Sequence, residues 1–234
     1  MKLEILLPRR GPKFFIGISL WLLLFVFVPL SLAQKKEYSG PQELVDQSVI
    51  VLKRFMTDPQ MAWLKRHLRE AKAIMIVPQM IKGGFFLGGS GGSGVLLSRD
   101  PHRGWSYPAF YVLVSVSWGI QFGGEVSEAL LFVRTARGVK SFLKTNVKLG
   151  GDVSIAAGPV GAKAKAQLAD ILVFAYSQGA FAGISIEGTV IKPRVSWNEI
   201  YYGKKVRLED ILFLHKVYNP GAETLRRLLT QYAP

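Results

Sequence analysis

The chain has 234 residues, 49% of them hydrophobic, no cysteine and a formal charge of +14. That size suits one domain with a proper core rather than two large ones, and without cysteine there can be no disulfide, thiolate metal site or lipid on an N-terminal cysteine. The cationic excess asks for an anionic partner, and phospholipid head groups, nucleic acid and acidic polymers all qualify on charge alone.

Residues 1–33 read as a signal peptide. Lys2, Arg9, Arg10 and Lys13 form a basic start, Phe14 to Leu30 is apolar, and Ser31-Leu32-Ala33 offers small residues for cleavage after Ala33. The apolar run is also long enough to be kept as an anchor. Arg9-Arg10 ahead of Phe14-Phe15 carries a trace of a twin-arginine signal, weakened by the Gly11-Pro12 between them. The expectation is an exported protein, periplasmic or envelope-associated in a Gram-negative source. The segment holds four basic groups and one acid, Glu4, leaving +11 on the remainder. An exported protein seldom meets nucleic acid, so no nucleic-acid partner is expected and the weight moves to lipid.

Residues 34–40 are a polar linker, and 41–234 are expected to form a single domain. Ser39 with Gln42 three residues on spells a capping box, with Pro41 early in the turn, and Leu44, Val45, Val49, Leu52, Phe55 and Met56 recur at helical spacing until Asp58-Pro59. A second helix is expected from Pro59 to about Lys72. Leu64, Leu68 and Ala71 lie on one side and Lys65, Arg69 and Lys72 on an adjacent side, with Arg66 further round. A basic stripe beside an apolar one fits a helix lying on an anionic membrane, and equally a core-packing helix with a solvated face. Trp63 suits an interfacial anchor or the core, and His67 a surface position.

From Ala73 the periodicity is that of strands, with Ile74 to Val77 stopped by Pro78. Seven of the fifteen residues from Ile81 to Val95 are glycine. The spelling matches a dinucleotide fingerprint at Gly89–Gly94 and a nucleophile elbow at Gly88–Gly92, but each needs a helix to follow. Here Val95-Leu96-Leu97 runs as a strand into the turn at Asp100-Pro101, so a crowded, glycine-rich hairpin is expected, and valine at Gly91 or Gly94 should unfold it.

Val112, Val114, Val116, Trp118, Ile120 and Phe122 alternate with Leu113, Ser115, Ser117, Gly119 and Gln121, giving one apolar face and an antiparallel sheet. Leu130 to Val133 is a strand, and Arg137 to Lys144 a short helix carrying Arg137, Lys140 and Lys144. Leu149 to Gly161 is a second glycine-punctuated turn, where Asp152 fits turn capping better than catalysis. No second carboxylate close by in sequence makes a glycosidase pair. Leu172 to Ser177 and Phe181 to Ile191 read as strands joined tightly at Gln178-Gly179-Ala180, and Trp197 to Gly203 as a short aromatic segment. Asn219-Pro220 opens a closing helix with Leu225, Leu228 and Leu229 inward. The fold class is α+β: a bent antiparallel sheet or incomplete barrel with two N-terminal helices and one C-terminal helix.

Several blocks in this order resemble the SYLF lipid-binding domain family. They are Ala71-Lys72-Ala73 to Pro78, the hairpin Gly83 to Val95, Gly104 to Ala109, Gly150 to Gly161, Gly179 to Gly188, and Tyr201-Tyr202-Gly203. The likeness spans roughly residues 41 to 232. It implies membrane-lipid binding without catalysis, with phosphoinositides as the ligand of eukaryotic members and actin as a further partner of some. The signal peptide and the lack of an appended SH3 or FYVE module look like the bacterial branch.

The residues and the resemblance together give a non-enzymatic protein whose basic surface meets anionic phospholipid while an apolar face or helix inserts shallowly. Lys65, Arg66, Arg69, Lys72 and Lys82 are the candidate contacts, each cation contributing about 1 kcal/mol near an anionic surface. The alternative is an envelope structural or interaction protein that pairs with a protein partner, or with itself, through sheet edges. No enzyme, metal or cofactor is expected, since His67, His102 and His215 show no metal-ligand spacing and no Walker or zinc motif occurs.

Overall fold

A computed structural model describes residues 38–84, 87–118, 123–158, 168–177, 180–181 and 186–233. Of the two units into which the chain divides, Met1–Gln34 and Lys35–Pro234, the described residues fall in the second. The expected signal peptide and most of the linker therefore lie outside them.

Helix α1 (Pro41–Thr57) starts from Gly40, with Pro41 in the first turn where its missing N–H costs nothing. Since Gly40 is the N-cap, the third helical residue is Glu43 rather than Gln42. Ser39 accordingly donates its N–H and Oγ–H to Glu43 Oε2 at 2.7 and 2.8 Å. Gln42 instead donates to Asp46 and to Gly221 O, 179 residues along the chain. Leu44, Val45, Val51, Leu52, Phe55 and Met56 are buried, and the buried Ser48 hydroxyl is satisfied by Leu44 O at 2.7 Å. The expected helix from Pro59 is broken into a 3-10 turn (Pro59–Met61), helix α2 (Ala62–His67) and a second 3-10 turn (Leu68–Glu70). Neither Met61 nor His67 supplies a side-chain cap to hold a longer helix together.

The strands are β1 (Ala73–Gly84), β2 (Leu87–Asp100), β3 (Gly104–Trp105), β4 (Ala109–Trp118), β5 (Gly123–Val133), β6 (Val147–Lys148), β7 (Ile155–Ala157), β8 (Ile171–Ser177), β9 (Ala180–Phe181) and β10 (Val190–Pro193). They form one open sheet in the order β6-β10-β4-β2-β1-β5-β8-β7, with β3 on β2 and β9 on β8, curled into a half-barrel. Neighbours pair antiparallel except β7 on β8, which is parallel. The α+β expectation holds, and among the described residues α3 (Ala136–Ser141), α4 (Val195–Tyr202) and α5 (Leu208–Leu212) stand between the N-terminal helices and the closing α6 (Glu223–Tyr232). The aromatic segment is thus a helix, α4, ended by Gly203 at φ 64°.

Pro78 does not stop β1. The strand steps three residues from Ile76 to Gln79 while β2 steps two, and likewise from Val77 to Met80 against β5. Pro78 sits inside both bulges, where no ladder donor is required of it. The bulge presses on β2: a Cβ at Gly92 would lie 2.4 Å from Gln79 O, and one at Gly94 2.8 Å from Ile76 O. Gly91 is different, since its Cβ would meet Leu113 O at an ordinary 3.7 Å. The crowding expected at both Gly91 and Gly94 belongs to Gly92 and Gly94.

Residues paired across antiparallel strands share a face. One face carries Ile74, Ile76, Leu130, Phe132 and Phe174, and Trp63 of α2 packs on it, with ring centroids 5.7 Å from Phe132 and 6.0 Å from Phe174. Phe110, on the same face, meets Trp197 and Tyr201 of α4. The other face carries Met75, Leu131, Tyr111 and Leu113, and Tyr111 donates its hydroxyl to Phe142 O at 2.8 Å. This reverses the expected orientation of β4. Tyr111 and Leu113 are fully buried, whereas Val114 is 45% exposed and Val112 partly so. Ile120 and Phe122 lie outside the described residues. The strand expected over Phe181–Ile191 is also interrupted, because Glu187-Gly188 form a turn with Gly188 at φ 81° ahead of β10.

Candidate functional site

The start of β1 and the ends of β2 and β5 meet at one end of the sheet, because Ala73 pairs with both Ser98 and Val133. The residues just beyond those pairs are Lys72, Arg99 and Arg134. Their backbones are tied: Lys72 N–H donates to Val133 O and Arg99 N–H to Lys72 O, both at 2.8 Å. Adjacent strands stand about 4.8 Å apart, so three cations far apart in sequence stand side by side. Arg69 joins them, since the Arg99 guanidinium donates through Nη1 to Arg69 O. Lys65 and Arg66 are carried on α2, immediately before. Arg66, Arg69 and Lys72 are exposed and Lys65 half-buried.

Of the five residues expected to contact lipid, Lys65, Arg66, Arg69 and Lys72 thus belong to one rim, and Lys82 does not. Lys82 lies ten positions beyond Lys72, about 30 Å along the strand. Lys82 pairs instead with Ser90, and Ser90 Oγ lies 2.6 Å from Ser115 Oγ. Arg99 and Arg134 were not foreseen. Each is a lone cation after an apolar strand, and only the pairing of β1 with β2 and β5 brings them to Lys72.

Beside the rim, Trp63 is partly buried and packs against the core through its ring contacts. His67 stacks on it at 4.1 Å with 13° between planes, and its Nδ1 lies 2.8 Å from Trp63 O. Behind the rim Asp170 acts as a knot. Arg134 N–H donates to its carbonyl, Thr135 Oγ1 to its Oδ1 at 2.6 Å, and Ser154 N–H and Oγ–H to its Oδ2 at 3.2 and 2.8 Å. Arg137 adds an ion pair at 3.4 Å. Burial pushes the Asp170 carboxyl up, but the hydrogen bonds from Thr135 and Ser154, with Arg137 nearby, outweigh it and hold it below the usual carboxylate range. Asp152 proves a turn cap, its Oδ2 accepting Lys148 N–H at 2.7 Å.

Among the described residues no group of three His, Asp or Glu is placed to hold a metal ion, and no helix is long and apolar enough to cross a membrane.

The family described as Ysc84, Las17-binding protein actin regulator, matches residues 114–232. SH3 domain-containing YSC84-like protein 1 of Homo sapiens is 33% identical over 171 residues, covering 70% of this chain and 50% of that protein. Its Xenopus laevis counterpart is 36% identical over 166 residues, 68% of this chain and 49% of the relative. Protein YSC84 of Saccharomyces cerevisiae is 33% identical over 174 residues, 71% of this chain and 37% of the relative. The chain spans about half the length of the curated vertebrate relatives it matches. No solved structure matches it. These relatives overturn the expected export and periplasmic or envelope location: they are eukaryotic proteins, of vertebrates and yeast, and a further yeast relative is named LAS seventeen-binding protein 3. The family is described as one of binding and regulatory proteins. The glycine-rich hairpin, the later blocks and the sequence match together place this chain in the Ysc84/SYLF family.

Proposed function

We propose that the domain binds anionic phospholipid head groups through the cationic rim, without catalysis. The observation that carries this is the convergence of Arg69, Lys72, Arg99 and Arg134 at one end of the sheet, with Lys65 and Arg66 on the adjoining helix. Strand pairing fixes the backbone beneath Lys72 and Arg99, so their charges are positioned before any surface arrives, which lowers the ordering cost of binding. Each cation contributes about 1 kcal/mol at an anionic surface, enough together for reversible attachment and short of permanent anchorage.

The test is co-sedimentation of the full chain with vesicles of phosphatidylserine in phosphatidylcholine. Reversing Lys65, Arg69 and Lys72 to glutamate should weaken capture about a hundredfold or more, and binding to the unaltered chain should fall as salt rises. Lys82→Glu, at the far end of β1, should leave capture unchanged. No preference for anionic over neutral vesicles would end the proposal.

The family description favours a second reading, recognition of a protein partner by the same domain. The sheet is open, with β6 and β7 at the ends of its strand order, and such edges are templates for pairing. A stable oligomer or protein complex with no vesicle affinity would select this reading.

A further inference from the structure

Beyond the rim the chain runs from Arg134 directly into α3, where a cavity of about 410 Å³ opens between that helix and the turn after β6. Its walls are Ala136, Arg137, Lys140, Ser141, Lys144 and, from the turn, Asp152. Arg137 and Lys140, three apart, lie along one side of the helix, and Lys144 reaches the same cavity from the turn that follows it. Gly138, Val139 and Phe142 are buried and fix the opposite side of the helix.

Both walls are braced. Arg137 is 73% exposed yet held by Asp170 at 3.4 Å, and Asp170 is itself fixed by Thr135 and Ser154. Asp152 is locked to the turn by Lys148 N–H at 2.7 Å. Lys140 and Lys144 are exposed, and among the described residues neither enters an ion pair. Three cations and one carboxylate line a cavity of the size that takes a small molecule, and with Arg137 already paired to Asp170 the excess is one positive charge, carried by Lys140 and Lys144 against Asp152. A bare anion would satisfy the cations and be repelled by Asp152. A ligand that carries both an anion and a hydroxyl donor satisfies both walls.

We infer that this cavity binds a phosphate ester bearing a free hydroxyl, its phosphate on Arg137, Lys140 and Lys144 and its hydroxyl donating to Asp152. The cavity is separate from the rim and does not need the rim to bind lipid. The same chemistry is presented by a soluble glycerol phosphate and by a glycerol-based phospholipid head group.

Titration of the full chain with glycerol 3-phosphate, followed by amide NMR shifts, tests it. Saturable shifts confined to α3 and residues 148–152 are expected, with inorganic phosphate binding more weakly and glycerol not at all. Lys140→Glu with Lys144→Glu should weaken glycerol 3-phosphate about tenfold or more, and Lys140→Arg with Lys144→Arg should retain it. Both lysines are exposed, so the melting temperature of either variant should match the parent. Vesicles of phosphatidylglycerol in phosphatidylcholine then separate the sources. If the glutamate pair loses the soluble ester and keeps vesicle capture, the occupant is a free ester; if both are lost, it is a head group. Equal affinity of parent and glutamate pair for the soluble ester, or shifts that never saturate, would overturn the inference. The loss of vesicle capture on reversing Lys65, Arg69 and Lys72 would still stand, so the two proposals fail separately.

Discussion

At one end of the sheet Ala73 to Val77, Val95 to Leu97 and Leu130 to Val133 are buried on both faces, between α1, α2 and α4 on one side and Tyr111, Phe142 and Val147 on the other. Past the bulge the same strands change character. Gly89 to Ser93 is only glycine and serine, Ile81 and Val112 are partly exposed, and Val114 and Val126 expose 45% and 38% of their surface. The two ends thus separate two tasks within one set of strands. The cationic rim stands on the end whose backbone is clamped by a double-sided core, while the glycine end tolerates a tight bend because it has little to pack.

The sharpest way to break this comparison is to hollow out the buried end. Phe132→Ala removes the ring against which Trp63 and the sheet pack, and should cost about 3–5 kcal/mol in urea unfolding; a cost near zero would mean the core does not hold the rim. Next is Gly94→Val, whose Cβ would meet Ile76 O at 2.8 Å and Val77 Cγ2 at 2.9 Å. Because one contact is backbone, about 3 kcal/mol of destabilisation is expected.

Asp170→Asn tests the knot behind the rim. Losing hydrogen bonds to a buried charge should cost about 2 kcal/mol at pH 7. The folded carboxyl lies below its unfolded value of 3.8, so its contribution is present above that pH and is lost as pH falls through the folded value. The gap between parent and variant should therefore close below about pH 4, and a gap that widened on acidification would contradict the assignment. The smallest effects belong to the glycine end. Val114→Thr should change stability by less than about 0.5 kcal/mol, and Gly91→Ala, with open contact at 3.7 Å, should stabilise by about 0.5 kcal/mol. Thermal melts of this pair against Phe132→Ala and Gly94→Val would measure the contrast directly.

Local pattern in the sequence was enough for α1, since Leu44, Leu52 and Phe55 mark one face whatever they pack on. It was enough for α6 too, where Leu225 and Leu229 are buried. Alternation placed β4 but not its orientation. Valines occupy one side of that strand and Tyr111 and Leu113 the other, and only the layer containing Phe142 decides which side is covered. Pro78 misleads for a similar reason: its lack of an N–H ends a regular ladder but not a bulged one. Four of the six rim cations were legible because Lys65, Arg66, Arg69 and Lys72 are near neighbours in sequence. Arg99 and Arg134 join only through strand pairing, and Lys82 leaves the group because a strand carries it away as steadily as a helix would have kept it near.

The double bulge at Pro78 has a consequence for chain length. It is the one residue that lies between Ile76 and Gln79 against β2 and also between Val77 and Met80 against β5. Its deletion would leave every pair on both sides in register, Met80 still opposite Ser127 and Ile81 still opposite Gly91. Pro78 is thus a spacer without a partner in a central strand, and the obligation on Gly92 and Gly94 to remain without side chains exists only while that spacer is there. A chain one residue shorter at this point should accept alanine at both.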